Sequence, residues 1–155
     1  MFKKVAIVTI VAGFVVGVAA TSSAQSEAPA ASRSSQEGPA LGGYCPVAYA
    51  AMNQAVKGDP RHSSQYAGHS YLFANAEAKQ MFDAEPAKYL PAYEGYCATA
   101  VAQGMKLESD PQLFTVHDGR TYLFSNAEAK TMFDRDTTGI VAKADSVWPS
   151  VSQAR

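Results

Sequence analysis

Residues 70–83 read SYLFANAEAKQMFD, and residues 121–134 read TYLFSNAEAKTMFD. Eleven of the fourteen positions are identical, at an offset of 51 residues. Such a period marks two copies of one supersecondary unit. In each copy a Tyr-Leu-Phe run, at 71–73 and 122–124, has the aromatic, apolar character of a half-buried strand. Asn75 and Asn126 follow where a helix starts, and an Asn side chain there accepts a first-turn backbone N–H. Glu77 and Glu128 add negative charge at the favourable end of the helix dipole. Ala78, Met81 and Phe82 fall at i, i+3, i+4, as do Ala129, Met132 and Phe133. That spacing predicts one apolar stripe per helix and places both methionines in the core rather than at a metal.

The repeat extends outward from this phrase. Tyr44-Cys45 is echoed 52 residues later by Tyr96-Cys97, and Asp59-Pro60 is echoed 51 residues later by Asp110-Pro111. Gly42-Gly43 predicts a turn, and Pro46 suits the first position of a short helix reaching Met52. The matching helix covers 98–103 and stops at Gly104. Asp59 and Asp110, each before a proline, read as turn starts. One hairpin joins 64–66 to 69–74 about Ala67-Gly68, and another joins 113–116 to 120–125 about Asp118-Gly119. Capped helices cover 75–84 and 126–134, and Pro86 opens one further turn over 86–90. A final segment runs from Gly139 through Ile140, Val141 and Ala144 to Trp148-Pro149, with Trp148 as a lid on the core. The fold class that follows is α+β. One compact domain, 41–155, holds two tandem units, about 41–91 and 92–149, each a short helix, a β-hairpin and a capped helix. About 115 residues suffice for one domain with one core, and are too few for two independent domains.

Residues 1–24 have the form of a cleavable secretory signal. Lys3 and Lys4 precede an almost wholly apolar run over 5–20, and Ser22-Ser23-Ala24 supplies small residues before Gln25. The expected destination is the periplasm or the medium. Residues 25–40 are rich in Ser, Ala, Pro and Glu and predict a disordered spacer. Two of the 13 basic residues and none of the 14 acidic ones lie in the leader, so the exported chain carries about −3. No basic cluster or stripe points to nucleic acid. No Gly-rich phosphate loop or nucleophile elbow is present, so these catalytic classes have no support in the sequence, and the expectation leans to a binding protein with enzymatic activity left open.

The segments GGYCPVAY at 42–49, YAGHSYLFANAEAKQMFDAEPAKYLP at 66–91, EGYCATAVAQG at 94–104, VHDGRTYLF at 116–124 and KADSVWP at 143–149 together resemble the YHS domain family. The likeness covers nearly the whole exported chain and is nearest to the small exported bacterial YHS domain-containing (seleno)proteins. It implies small α+β units associated with heavy-metal and copper handling. It also implies cysteines just after the hairpin strand, near Asn75 and Asn126, where this chain has none. The cysteines it does have are Cys45 and Cys97.

Three readings of this pair stand. A disulfide suits an oxidising compartment, closing a loop of this length would contribute about 4 kcal/mol, and the chain would then be a disulfide-stapled, non-catalytic interaction module. Two thiolates also make a soft donor set for copper(I), with His69 or His117 completing the shell. In that reading the partners are the metal ion and metal-handling proteins. Finally, Cys45 before Pro46 could be a redox thiolate that Cys97 resolves. The histidines break the repeat: His69 aligns with Arg120, and His117 aligns with Tyr66. A symmetric two-Cys, two-His site is therefore not expected.

Overall fold

The computed structural model describes residues 38–153. The leader expected over 1–24 and the spacer over 25–37 lie outside the described residues. Ala40, expected to end the spacer, instead packs on the core of the first unit.

Each repeat folds into the same succession. The first unit has α1 (Pro46–Met52), β1 (Asp59–Tyr66), β2 (His69–Phe73), α2 (Ala76–Ala84) and α3 (Pro86–Tyr89). The second has α4 (Ala98–Ala102), β3 (Asp110–His117), β4 (Arg120–Phe124), α5 (Ala127–Arg135) and α6 (Thr137–Val151). The class is α+β, built on two separate antiparallel hairpins, β1–β2 and β3–β4.

The hairpin turns carry left-handed backbone at both central residues. Ala67 and Gly68 have φ of 49° and 84°, and Asp118 and Gly119 have 49° and 74°. That geometry matches the right-handed twist of the flanking strands. Tyr66 therefore pairs with His69, and His117 with Arg120. Both ladders are interrupted toward the base, between Asp59 and Ser63 and between Asp110 and Phe114. The two Asp-Pro pairs sit there. Asp59 accepts the Arg61 N–H and Asp110 accepts the Gln112 N–H, each at 2.9 Å. These local turns open a strand and feed a bulge, so β1 and β3 begin earlier than the aromatic pattern indicates.

Asn75 accepts the Ala78 N–H and Asn126 the Ala129 N–H, both at 2.8 Å, as the sequence predicts. Asn75→Ala and Asn126→Ala are each expected to cost about 1 kcal/mol, measured by urea denaturation. The apolar stripe is narrower than expected. Phe82 and Phe133 are buried, but Met81 and Met132 are 37% and 43% exposed. An Ala and a Phe four residues apart already cover the strand face, which leaves the intervening Met at the stripe's edge.

Two cores form rather than one. Cys45, Tyr71, Phe73, Phe82 and Tyr89 centre the first, and Cys97, Tyr122, Phe124, Phe133 and Ala144 the second. The junction between the units does not follow the repeat. Tyr49 stacks edge-on against Phe114 at 4.9 Å and its hydroxyl donates to the Pro111 carbonyl at 2.7 Å. The residues at corresponding positions are Val101 and Ser63, which cannot reproduce that contact.

The final segment is one fifteen-residue helix, α6. Asp136 caps it by accepting the Gly139 N–H at 3.0 Å. Gly139 is required there, because a Cβ would strike that same carboxylate. α3 and α6 start at corresponding positions, but α3 ends after one turn at Leu90-Pro91. Only the second unit therefore carries a long covering helix. Trp148 on α6 packs against the second core, in the lid position expected of it.

Candidate functional site

Cys45 and Cys97 occupy the same local frame. Each precedes the first residue of a short helix, α1 or α4, with extended backbone. The Cys45 N–H donates to the Val56 carbonyl at 2.8 Å, and the Cys97 N–H donates to the Leu107 carbonyl at 2.9 Å. Both side chains are buried and both thiols are free. They belong to different cores, so the equivalent positions do not meet across the junction.

The histidines stand at the other end of the hairpins. His69 opens β2 and His117 closes β3, each in the terminal pair beside the turn. Cys97 bridges to Leu123, three pairs down the β3–β4 ladder from His117. At the strand rise that is about 10 Å along the ladder. His117 Nε2 lies 3.3 Å from the Asp118 carboxylate instead. Among the described residues, no group of three or more His, Cys, Asp or Glu side chains is placed to hold a metal ion.

Sulfur does gather in the second unit. A cleft of about 220 Å³ is lined by Cys97, Met105, Ser125, Asn126 and Met132, among others. Cys97 is 1% exposed and forms part of its floor, while Met105 and Met132 stand 51% and 43% exposed. The Ser125 hydroxyl donates to the Cys97 sulfur at 3.5 Å. Three elements build this arrangement: the start of α4 sets the thiol, the turn after it brings Met105 back, and α5 supplies Met132. The Met105 N–H bonds the Ala100 carbonyl at 3.0 Å, which folds that turn over the helix. In the first unit Ala74 stands where Ser125 does and Asn53 where Met105 does, so the same donor set is not repeated.

Met105 is the residue that sequence reasoning missed. It lies outside the repeated phrase, in a stretch where no periodicity applies. Its signal is its solvent exposure, which only the fold reveals.

Tyr49 and Tyr93 stand near the junction as core groups whose hydroxyls bond the Pro111 carbonyl and the Asp145 carboxylate. Burial pushes the Tyr49 pKa up, and burial together with a 2.9 Å bond to Asp145 does the same for Tyr93. Both stay neutral donors at ordinary pH.

Among the described residues, no helix is long and apolar enough to cross a membrane. No family model, curated protein or solved structure matches this chain.

Proposed function

We propose that this protein is an exported soft-metal binder of the YHS kind, and that it takes copper as copper(I). The observation that carries the reading is the second-unit cleft, where one thiol and two thioethers line a single opening. Thiolate and thioether sulfur select copper(I) over harder ions. Met105 and Met132, 51% and 43% exposed, present their thioethers at the same opening as the buried Cys97. The Ser125 hydroxyl donates to the Cys97 sulfur and holds it at the floor of the cleft. His69 and His117 drop out of the donor set in this reading, since both sit at hairpin tips. Cys45 drops out as well, since it lies in the other core, where Ala74 and Asn53 stand at the positions of Ser125 and Met105. Metal-handling proteins remain the partners this reading implies.

A thiol-redox role for the pair is less well supported, because a resolving thiol must reach the one it attacks. A disulfide between the pair meets the same obstacle.

The test is an anaerobic copper(I) titration against a chromogenic competitor. The protein is expected to bind one copper. Cys97→Ser is expected to weaken binding by more than about 100-fold, beyond the loss typical of outer-shell changes. Met105→Leu with Met132→Leu conserves volume and is expected to weaken binding while leaving the melting temperature nearly unchanged. Cys45→Ala is expected to leave the affinity as it is. Equal losses for Cys45→Ala and Cys97→Ser would restore the shared-pair reading and reject this one.

A further inference from the structure

A cavity of about 410 Å³ lies away from the sulfur cleft, where the two repeats meet. Its walls include Leu41, His69 and Tyr71 from the first unit and Glu94, Tyr96 and Glu108 from the second. Both units contribute a left-handed turn to it. Leu41, Gly42 and Gly43 have φ of 58°, 58° and 79°, and Tyr93, Glu94 and Gly95 have 56°, 56° and 86°. The turns interlock, because a Cβ on Gly95 would sit 2.7 Å from Leu41 Cδ2. That lock holds Glu94 at the cavity's edge.

Three features of this cavity point to a bound molecule. The Tyr71 side chain is 5% exposed, and its hydroxyl is not among the buried atoms left without a partner, so what exposure it has is at the cavity it lines. Its ring is fixed against Phe82 at 5.3 Å, which leaves the hydroxyl end for the cavity. Burial and the nearby charge of Glu94 both push the Tyr71 pKa up, so the group is a neutral donor or acceptor in wait of a partner. Next, neither Glu94 nor Glu108 is in an ion pair among the described residues, and no Lys or Arg lines the cavity. Last, the matching face of the second unit is filled. There α6 lays Trp148 on Tyr93 at 5.5 Å and on Tyr96 at 6.5 Å. Asp145 of the same helix takes the Tyr93 hydroxyl and faces Arg120. The first unit keeps the corresponding Leu41, His69 and Tyr71 but has no helix to cover them, since α3 stops after one turn.

We infer that this junction cavity binds a small organic cation with an aromatic or similarly flat apolar body, its charge held by Glu94 and Glu108 and its polar edge by Tyr71. The volume suits such a ligand. The carboxylates favour an ammonium group, while the Tyr96 face is already covered by Lys106 Nζ at 4.9 Å, so the charge selection rests on Glu94 and Glu108. A bare metal ion does not fit, because His69, Glu94 and Glu108 line the cavity without converging on one point. The site is independent of the sulfur cleft and of the copper reading.

The probe is 2-phenylethylamine, titrated into isotope-labelled protein and followed by amide NMR shifts. The control is 3-phenylpropanoate, which has the same apolar body and the opposite charge. Saturable binding of the amine is expected, with shifts at Leu41, Tyr71 and 94–96. Glu94→Gln with Glu108→Gln is expected to weaken it about tenfold or more, and Tyr71→Phe to weaken it with the fold intact. Cys97→Ser is expected to leave it unchanged. No saturation by about 10 mM, equal binding of the carboxylate, or an undiminished affinity in the double variant would each overturn the inference.

Discussion

Phe133→Ala is expected to lower the stability of this protein by about 3–5 kcal/mol, the range for deleting a buried aromatic ring. Phe133 is wholly buried and packs against Tyr122 and Phe124, each at a ring separation of 5.0 Å. Its neighbours are held by the α5 cap, by the β3–β4 ladder and by α6. They cannot collapse into the space without breaking those contacts. Phe82, its repeat counterpart, packs against Tyr71 at 5.3 Å and Phe73 at 5.0 Å. Phe82→Ala should cost a similar amount. Because the two rings lie in different cores, the double change should equal the sum of the singles within about 0.5 kcal/mol. Urea denaturation followed by far-ultraviolet circular dichroism measures all three. A loss under about 1 kcal/mol for either single change would contradict its place at the centre of a core.

Gly58→Ala is expected to cost about 3 kcal/mol or more, at the upper end of overpacking. A Cβ there would lie 2.5 Å from the Leu72 carbonyl carbon, in backbone that belongs to the β1–β2 ladder and cannot step aside. The repeat gives this prediction its control. Gly58 aligns with Ser109, and Gly43 with Gly95. In the first unit the Gly58 N–H donates to the Gly43 carbonyl at 2.8 Å. In the second, the Ser109 hydroxyl makes the matching link to Gly95 at 2.6 Å. One tether is built from backbone and the other from a side chain, so the first strand can run closer to its neighbour. Ser109→Ala removes one hydrogen bond and should cost only about 1 kcal/mol. Comparable losses at the two positions, read from thermal melts, would show that the close approach at Leu72 does not constrain the fold.

The repeated phrase made most of the local structure legible. Asn75 and Asn126 cap as read, Asp118-Gly119 turns as read, and the α+β class follows from them. These features rest on chemistry within four residues. What escaped depends on longer range. Met81 and Met132 fit the helical spacing of a core face, but the width of that face is set by the hairpin beneath it. The left-handed backbone at Tyr93 and Glu94 has no compositional mark, since neither residue type favours it. Asp136 caps α6 through the Gly139 N–H, and a Cβ at Gly139 would meet the capping carboxylate, so the glycine belongs to the cap rather than to a break. The disulfide, shared-metal and resolving-thiol readings all need Cys45 and Cys97 to meet, and no local signal decides that. The Tyr49–Phe114 contact shows that the junction is asymmetric, because Val101 and Ser63 cannot repeat it.

The same asymmetry separates the roles of the units. In the copper reading proposed above, Ser125 and Met105 set the second unit's cysteine apart, since Ala74 and Asn53 stand at the matching positions of the first unit. The open face at Tyr71 belongs to the junction and owes nothing to sulfur. The two sites can therefore be lost separately.

X-ray absorption at the copper edge, on protein loaded anaerobically with one equivalent of copper(I), tests the central claim most directly. The cleft of Cys97, Met105 and Met132 calls for a first shell of sulfur alone, reduced in sulfur count by Met105→Leu and unaltered by His69→Ala or His117→Ala. An imidazole scattering pattern that disappears in either histidine variant would contradict it, and would move the metal to the hairpin tips.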